Sequence, residues 1–344
     1  MKIIVDAMGG DNAPLAPVQG ALDARKAGGP EIILVGRKDA VMQALKDCGE
    51  TALPDGVELR EASEVVEIAD DPATAFKRKK DSSLTVGLTM VKNGEGDAFV
   101  SAGSTGALLS GATLVTKRIR GIRRAAMAPV IPTAEGGAVL CDCGATAECT
   151  PEYLLQFAYL GSFYSRRVRS IERPRVALLN IGAEEEKGDT LRREAYALLK
   201  AAGDADRINF VGNLEASTAM QGGADVLVAD GFSGNIMLKS LEGVGKFLMD
   251  EIKAMLGKNM KNKVAALLIR SDMRALKHRV DPSEVGGTPF LGISKPVIKA
   301  HGSSNAKAFQ NAIARAAEYA ESGFIADVEA NIDLMRTGKN GIAP

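Results

Sequence analysis

The sequence contains no tryptophan, only two histidines and four cysteines, and no excess of charge of either sign. Lysine and arginine together number 43, as do aspartate and glutamate, so no overall field draws the protein to nucleic acid or anionic lipid. A charge-driven partner must therefore bind a local patch. Four cysteines in 344 residues do not form the disulfide framework of a small secreted protein, and we expect a reducing compartment.

Long hydrophobic runs are also absent. No segment approaches the roughly 18 to 20 apolar residues needed to cross a bilayer. The first residues, MKIIVDAMGG, lack the basic segment, long apolar stretch and small-residue cleavage site of a secretory signal. We therefore expect a cytoplasmic protein, whose 46% hydrophobic content is ample for one large α/β unit or for two lobes.

Several catalytic motifs are missing. The chain has neither G-x-x-x-x-G-K-[ST] nor a complete G-x-G-x-x-G, which disfavours a P-loop nucleotidase and the usual dinucleotide site. It has no G-x-S-x-G elbow, so a serine hydrolase is disfavoured. Cys141 and Cys143 stand at strand spacing and are expected in the core, with a reactive thiol as the alternative. Cys141, Cys143 and Cys149 have no nearby histidine or fourth cysteine at zinc spacing, which disfavours a zinc site. We expect neither a metal nor a cofactor.

Apolar runs recur along the chain and alternate with helix-compatible stretches. The predicted strands are KIIVDAM, EIILVG, DAFVSAG, GAVLCDCG, RVALLNIG, INFVGN, DVLVADG and VIKAHG. Runs that are apolar on both faces and separated by helices are typical of a parallel sheet covered on both sides. We therefore predict a three-layer α/β/α sandwich with a mostly parallel sheet. We treat 1–344 as a single catalytic unit; ERPR at 172–175 leaves a two-lobed form open.

Small and polar residues follow seven of these strands. The segments are DAMGGDN, SAGSTG, CDCGAT, NIGAEE, VGNLE, ADGFSGN and AHGSSN. Because the carboxyl ends of parallel strands share one edge, we expect these segments to converge on one ligand-binding crevice. For any single segment the alternative is an ordinary turn.

The segment SAGSTGALLSG, residues 101–111, has the pattern of an anion site at the start of a helix. Gly103 and Gly106 would let a phosphate approach the backbone, and Ser104 and Thr105 would add hydroxyl donors. The alternative is a tight strand-to-helix turn packed under its neighbours.

Nine segments, in order along nearly the whole chain, resemble one enzyme family. They are IIVDAMGGDNAP, KKDSSL, DAFVSAGSTGALLSGA, KRIRGI, PEYL, NIGAEEEKGD, FVGN, ADGFSGNIMLKSLEG and VIKAHGSSNA. Together they resemble the acyl-ACP:phosphate acyltransferases of bacterial phospholipid synthesis. The resemblance implies that inorganic phosphate attacks the thioester of a long-chain acyl-acyl carrier protein, giving acyl phosphate and free carrier protein.

The same resemblance implies a homodimer with a fold similar to those of phosphotransacetylases and isopropylmalate dehydrogenases. It also implies that a membrane-bound acyltransferase passes the acyl group on to glycerol 3-phosphate. The sequence departs from the family at three places. Thr146 and Glu148 replace Asn and Asp in DCGATAEC, Ser104 replaces Asn, and no Gly-Arg-Asp follows Glu215. Thr146 and Ser104 keep hydrogen-bonding capacity, so we expect the activity to persist without assigning either a direct role.

The implied reaction demands position more than proton transfer, because phosphate is already nucleophilic and a thiol of pKa about 8.5 leaves readily. Lys187 is our first candidate to neutralise phosphate or the oxyanion, since it is the cation nearest a predicted strand end among the glycine loops. Asn235 can donate to the thioester carbonyl, and His301 and Ser303 can bind phosphate oxygens. The alternatives are a surface lysine, a turn asparagine and a histidine that caps the following helix.

The candidate substrate-binding residues come from the same strand-end segments. They are Asp6, Gly9, Gly10, Asp11, Asn12, Ser101, Gly103, Ser104, Thr105, Gly106, Asn180, Gly234 and Ser303. Carboxylates repel phosphate unless they are paired. We therefore expect Asp6, Asp11 and Asn12 to orient Lys187 or to fix loop N–H groups.

From Leu241 the pattern changes to two amphipathic helices broken near Gly257, and basic residues surround and follow the break. This hairpin, 241–280, is the local patch that the neutral chain otherwise lacks. It suits an anionic membrane surface or the acidic carrier protein, and the family resemblance supports peripheral membrane association. The candidate contacts are Met255, Leu256, Lys258, Val264, Leu267 and Leu268. The alternative is dimer or core packing with a solvated charged face.

We therefore expect a phosphate acyltransferase. Two alternatives remain open. A phosphotransacetylase-like enzyme would use acyl-CoA and is distinguished by comparing carrier-protein and CoA thioesters. A noncatalytic anion-binding or membrane-scaffold protein would bind phosphate without producing acyl phosphate.

Overall fold

The computed structural model describes residues 1–280, 286–338 and 341–342. The strands are β1 Lys2–Asp6, β2 Glu31–Gly36, β3 Val57–Glu61, β4 Ala98–Ser101, β5 Ala126–Met127, β6 Val130–Ile131, β7 Ala138–Cys141, β8 Arg175–Asn180, β9 Asn209–Glu215, β10 Val226–Val228, β11 Thr288–Leu291, β12 Val297–Lys299, β13 Thr337–Gly338 and β14 Gly341–Ile342. The helices are α1 Leu15–Lys26, α2 Lys38–Asp47, α3 Ala75–Arg78, α4 Ser83–Asn93, α5 Thr105–Gly111, α6 Pro151–Arg167, α7 Thr190–Asp204, α8 Ala216–Ala219, α9 Gly231–Gly257, α10 Met260–Leu268, α11 Arg270–Val280, α12 Ala306–Glu321 and α13 Phe324–Ala330.

All eight predicted strands form, but they divide between two sheets instead of one. The first sheet has the order β3-β2-β1-β4-β12-β11-β5, and its first five strands are parallel. The second has the order β6-β7-β10-β8-β9, in which only β6 is antiparallel to its neighbour. The edge strands β5 and β6 follow each other directly in the chain, so the two sheets meet at this joint. The predicted α/β class with largely parallel strands is confirmed.

The first sheet is buried on both faces, as its apolar runs predict. Ile3 belongs to a core cluster with α1 and α12, whereas the next residue, Ile4, belongs to a cluster with α4. Both side chains are fully buried. Because successive strand residues point to opposite faces, a run of apolar residues indicates helices on both sides of the sheet.

The amphipathic segment forms three consecutive helices. Helix α9 ends at Gly257, where the pattern predicts a break. Asn259 caps the start of α10, because its side-chain oxygen accepts the Asn262 N–H. A further break separates α10 from α11 at Ile269. Within the described part of the chain, no helix is both long and apolar enough to span a bilayer.

Candidate active site

The loops after β1, β4 and β12 of the first sheet lie in contact with one another. The Asp11 N–H donates to the Gly302 carbonyl at 2.8 Å. The Asn12 side-chain amide donates to the carbonyls of Ser303 and Ser304 at 3.2 and 3.1 Å. Asp11 and Asn12 therefore join the loop after β1 to the loop after β12, and the groups that they hold there are carbonyls, not the N–H groups expected for them.

Glycine is required where the loops after β1 and β4 approach each other. A Cβ at Gly9 would lie 2.6 Å from the Asp6 carboxylate and 2.7 Å from the Gly103 nitrogen. Gly10 adopts φ +99°, a conformation that side chains disfavour. The small residues of DAMGGDN and SAGSTG thus allow two backbones to pack in direct contact.

In the second sheet the Asp142 carboxylate organises the loop after β7. It accepts the N–H groups of Met127 at 2.8 Å, Cys143 at 2.7 Å, Ala145 at 3.1 Å and Thr146 at 2.7 Å. Burial raises the pKa of Asp142 to about 6, although these four donors oppose the rise. Because Met127 ends β5, this carboxylate also ties the second sheet to the joint with the first.

The first turn of α9 packs on this loop and places Asn235. A Cβ at Gly234 would lie 1.9 Å from the Asp142 carbonyl oxygen, so only glycine fits. The Gly231 N–H donates to the Thr146 carbonyl at 2.8 Å. Thr146 thus holds the loop through its backbone N–H and carbonyl groups.

A cavity of about 580 Å³ lies where the two sheets meet, a volume in the range of ligand-binding sites. Its polar side chains include Thr105, Asn235, Lys239, Glu242, Thr288, Lys299, His301 and Ser304. Its apolar wall includes Pro129, Val130, Ile131, Pro132, Met220, Leu238, Leu241, Val244 and Leu248. Four of the seven strand-end segments reach this cavity, namely those that follow β4, β7, β10 and β12, so segments from both sheets line it. The segments after β1, β8 and β9, which are all described, do not line it.

Lys299 is a buried cation in this cavity that the sequence analysis does not select. Its side chain is only 7% exposed. Among the described residues its ammonium donates to the carbonyls of Ala102, at 3.2 Å, and Ala300. An ammonium has three donors, so one remains for a ligand. Burial lowers the pKa of Lys299 to about 8, and the charges of Asp6 and Asp11 oppose that shift.

Asp6 lies beneath the same site, fully buried. Its carboxylate accepts the Ser101 hydroxyl at 2.6 Å and the Met8 N–H at 3.0 Å, and the Ser101 oxygen in turn accepts the Gly103 N–H at 3.0 Å. Burial raises the pKa of Asp6, and these hydrogen bonds oppose the rise. The negative charge of Asp6 acts to raise the pKa of Lys299, against the effect of burial. Asp6 and Ser101 thus support the site from below.

His301 stands at the entrance of α12. Its Nδ1 accepts the Ser303 N–H at 3.3 Å and lies 2.9 Å from the Ser303 hydroxyl. This contact assigns the proton of the neutral ring to Nε2. Asn305 caps the 16-residue helix by accepting the Ala308 N–H at 2.9 Å. The positive end of the helix dipole therefore lies beside the polar part of the cavity.

Lys187 lies in an exposed loop after β8, away from Lys299. Its carbonyl accepts the Asn180 amide at 3.1 Å, and the same amide donates to Asn213. Asn180 and Gly188 line a second cavity of about 780 Å³, which shares Met220, Leu241 and Val244 with the first. Lys187, a described residue, lines neither cavity.

The structure therefore separates the candidate residues into groups. Thr105, Asn235 and His301 line the first cavity, and Asn180 lines the second. Ser104 caps α5 by accepting the Ala107 N–H at 3.5 Å, and a Cβ at Gly106 would touch Pro72 at 3.0 Å. The supporting residues around the site are Asp6, Gly9, Gly10, Asp11, Asn12, Ser101, Gly103, Gly234 and Ser303.

The hairpin candidates lie away from these cavities, on α9 and α10. Met255, Val264, Leu267 and Leu268 are 52 to 80% exposed. Leu256 is half-buried and Lys258 is exposed.

The family profile described as "Fatty acid synthesis protein" matches residues 1–327. A phosphate acyltransferase from Thermoanaerobacterium thermosaccharolyticum is 42% identical over 335 residues, which cover 97% of this chain and 98% of the relative. Phosphate acyltransferases from Listeria monocytogenes and Clostridioides difficile are 44% and 43% identical, with 98% and 95% of both chains covered.

Solved structures share the fold at low identity. A phosphotransacetylase from Streptococcus pyogenes is 20% identical with a TM-score of 0.62, covering 93% of this chain and 94% of the other. The EutD phosphotransacetylase from Staphylococcus aureus is 16% identical with a TM-score of 0.61 and the same coverage. The predicted likeness to phosphotransacetylases is confirmed at the level of fold. With relatives at 42 to 44% identity over nearly its whole length, the chain belongs to the phosphate acyltransferase family of fatty acid synthesis proteins.

Proposed function

We propose that this protein transfers an acyl group from the thioester of acyl carrier protein to inorganic phosphate, producing acyl phosphate. The observation that carries the proposal is one cavity whose lining contains both a buried lysine, Lys299, and a set of apolar residues from β6 and α9. The polar part suits a small anion, and the apolar wall suits a hydrocarbon. The name shared by the relatives supports phosphate as the acceptor.

In the proposed reaction a phosphate oxygen attacks the thioester carbon. The new C–O bond forms, the C–S bond breaks, and sulfur leaves as a thiolate that takes a proton from water to become the carrier's free thiol. Lys299, the Nε2–H of His301 and the start of α12 would hold the phosphate. The Asn235 amide would donate to the carbonyl oxygen as negative charge develops there.

A covalent acyl-enzyme is disfavoured. Cys143 lines the cavity, but it is only 1% exposed and burial raises its pKa well above the ordinary value. A protonated, buried thiol is a poor nucleophile. Direct transfer instead relies on holding both reactants in attack geometry, which contributes roughly 7 to 11 kcal/mol.

Lys187 keeps a place in the proposal as a second cation. It precedes Gly188, which lines the second cavity. The two lysines differ in position. Lys299 lines the cavity, so its removal should change the phosphate concentration that the reaction requires. Lys187 would have to act from an exposed loop.

We propose the hairpin as the contact surface for an anionic membrane. Leu267 and Leu268 are 70% and 80% exposed, and Lys258, Lys261 and Lys263 are exposed beside them. A homodimer, docking of the acidic carrier protein and delivery of acyl phosphate to a membrane-bound glycerol-3-phosphate acyltransferase complete the proposal.

The test is to incubate the purified protein with phosphate and either acyl-acyl carrier protein or acyl-CoA, and to trap acyl phosphate with hydroxylamine. We expect phosphate-dependent hydroxamate with the carrier-protein thioester in excess over the CoA thioester. A preference for acyl-CoA would favour the alternative of a phosphotransacetylase-like activity. Phosphate binding without hydroxamate from either donor would indicate a noncatalytic protein.

A further inference from the structure

We infer that the acyl chain lies in the apolar cleft between β6 and α9, and that the absent side chain of Gly245 leaves room for the part of the chain beyond about carbon 12. The inference rests on the proposed acyl transfer. It adds the position of the chain and the residue that leaves room for long chains.

Both sides of the cleft carry apolar residues. One side is the β6 segment, with Val130, Ile131 and the flanking prolines. The other side is α9, where Leu238, Leu241 and Leu248 line the same cavity as Asn235. Their spacing of three, three and seven residues from Asn235 onward keeps them near one face of the helix.

The charged residues in this wall neutralise each other. Lys239 and Glu242 form an ion pair at 2.7 Å. An ion pair presents less uncompensated charge to a hydrocarbon than two separate ions would. The remaining α9 side chains that line the cavity beyond Asn235 are apolar.

The rise of helix α9 relates its residues to carbon positions along an extended acyl chain. Asn235, the proposed carbonyl donor, stands in its second turn, and Gly245 and Leu248 follow 10 and 13 residues later. A helix rises about 1.5 Å per residue, so these residues lie roughly 15 and 20 Å from Asn235. A zigzag of C–C bonds near 1.5 Å advances about 1.25 Å per carbon. Gly245 therefore lies beside about carbon 12, and Leu248 beside about carbon 16.

Gly245 is open to the cleft. A Cβ built there has no described atom within 4 Å, although the residue lines the cavity. Glycine weakens a helix interior compared with other residues. Since no described atom lies close to the Cβ position, packing of α9 does not explain why this residue is a glycine. Gly243 offers a matched control: its Cβ position is equally open to the described atoms, and it lines neither cavity. Two residues along a helix rotate the side-chain direction by about 200°.

The experiment compares Gly245→Phe and Gly243→Phe with the natural protein. Acyl phosphate formation is measured with carrier-protein thioesters of 8, 12 and 16 carbons. Each methylene excluded from the cleft weakens binding about fourfold. Excluding the four carbons beyond carbon 12 should therefore lower the ratio of kcat/KM for 16 and 8 carbons by roughly 250-fold in Gly245→Phe. The ratio should stay unchanged in Gly243→Phe.

Equal losses at all chain lengths in Gly245→Phe, or the same change in both variants, would overturn the inference. Size-exclusion chromatography and thermal unfolding of both variants detect a loss of assembly or fold, which would also produce equal losses. Binding of the 16- and 8-carbon thioesters is measured separately by calorimetry. If the natural protein makes no acyl phosphate but selective loss of 16-carbon binding persists in Gly245→Phe, the proposed function fails while the chain site stands.

Discussion

Replacing Lys299 by methionine tests the buried cation of the site. Methionine keeps most of the side-chain length and removes the charge, so the apolar stem can stay in place. Lys299 is only 7% exposed, and the third donor of its ammonium is the group proposed to hold phosphate. We expect the variant to fold and to lose most of its use of phosphate.

The magnitude follows from one charge-assisted hydrogen bond, which contributes about 1.5 to 3 kcal/mol. Loss of this contact should lower kcat/KM for phosphate roughly 10- to 150-fold, since 1.4 kcal/mol is a factor of ten. The pH dependence has a defined sign. Because burial lowers the pKa of Lys299 to about 8, the folded protein loses this charge as the pH rises through 8, and phosphate use should fall there.

The same shift affects stability in the opposite direction. The folded protein binds fewer protons than the unfolded chain between pH 8 and the ordinary lysine value of 10.5. The cost of the buried charge, about 3 kcal/mol, is therefore present in full below pH 8 and is relieved as the pH rises toward 10.5. Arginine stays protonated throughout this range, so Lys299→Arg should lack the decline of phosphate use above pH 8.

The assay is hydroxylamine trapping of acyl phosphate at varied phosphate concentration and pH. Lys295→Met is the control, because Lys295 lies four residues earlier and lines neither cavity. An unchanged kcat/KM for phosphate in Lys299→Met would refute the reasoning. So would an equal loss in the Lys295 control.

Three further predictions concern other parts of the chain. Lys187→Ala should remove most acyl phosphate formation if the sequence-based proposal holds, with the circular dichroism spectrum unchanged; near-normal turnover would refute that role. Gly234→Ala should lower the melting temperature and slow turnover, because its Cβ would lie 1.9 Å from the Asp142 carbonyl; an unchanged melting temperature would contradict the packing argument. Replacing Leu267 and Leu268 by Glu should abolish cosedimentation with anionic liposomes, and persistent binding would favour packing as the role of the hairpin.

The strands could be predicted because their residues are apolar on both faces. β3, with the sequence VELRE, was missed because it is an edge strand and most of its side chains are exposed or half-buried. The division into two sheets was missed because it depends on β5 and β6, two strands of two residues each. Such short strands have no periodicity to detect.

The site residues were predicted less completely than the strands. Strand-end glycines and polar residues have a local pattern, and Thr105, Asn235 and His301 were selected on that basis. Lys299 was missed because the search for a cation considered the glycine loops after the strands, where Lys187 lies. The burial of Lys299 could not be predicted, because burial of a lysine depends on packing between distant segments. The signal available for Lys299 was a charged residue at the end of an apolar strand, in VIKAHG.

A crystal structure determined with phosphate tests the central claim most directly. The account predicts a phosphate in the cavity between the two sheets, within hydrogen-bonding distance of Lys299 Nζ and beside the start of α12. A phosphate held instead by Lys187, or only in the second cavity, would contradict it.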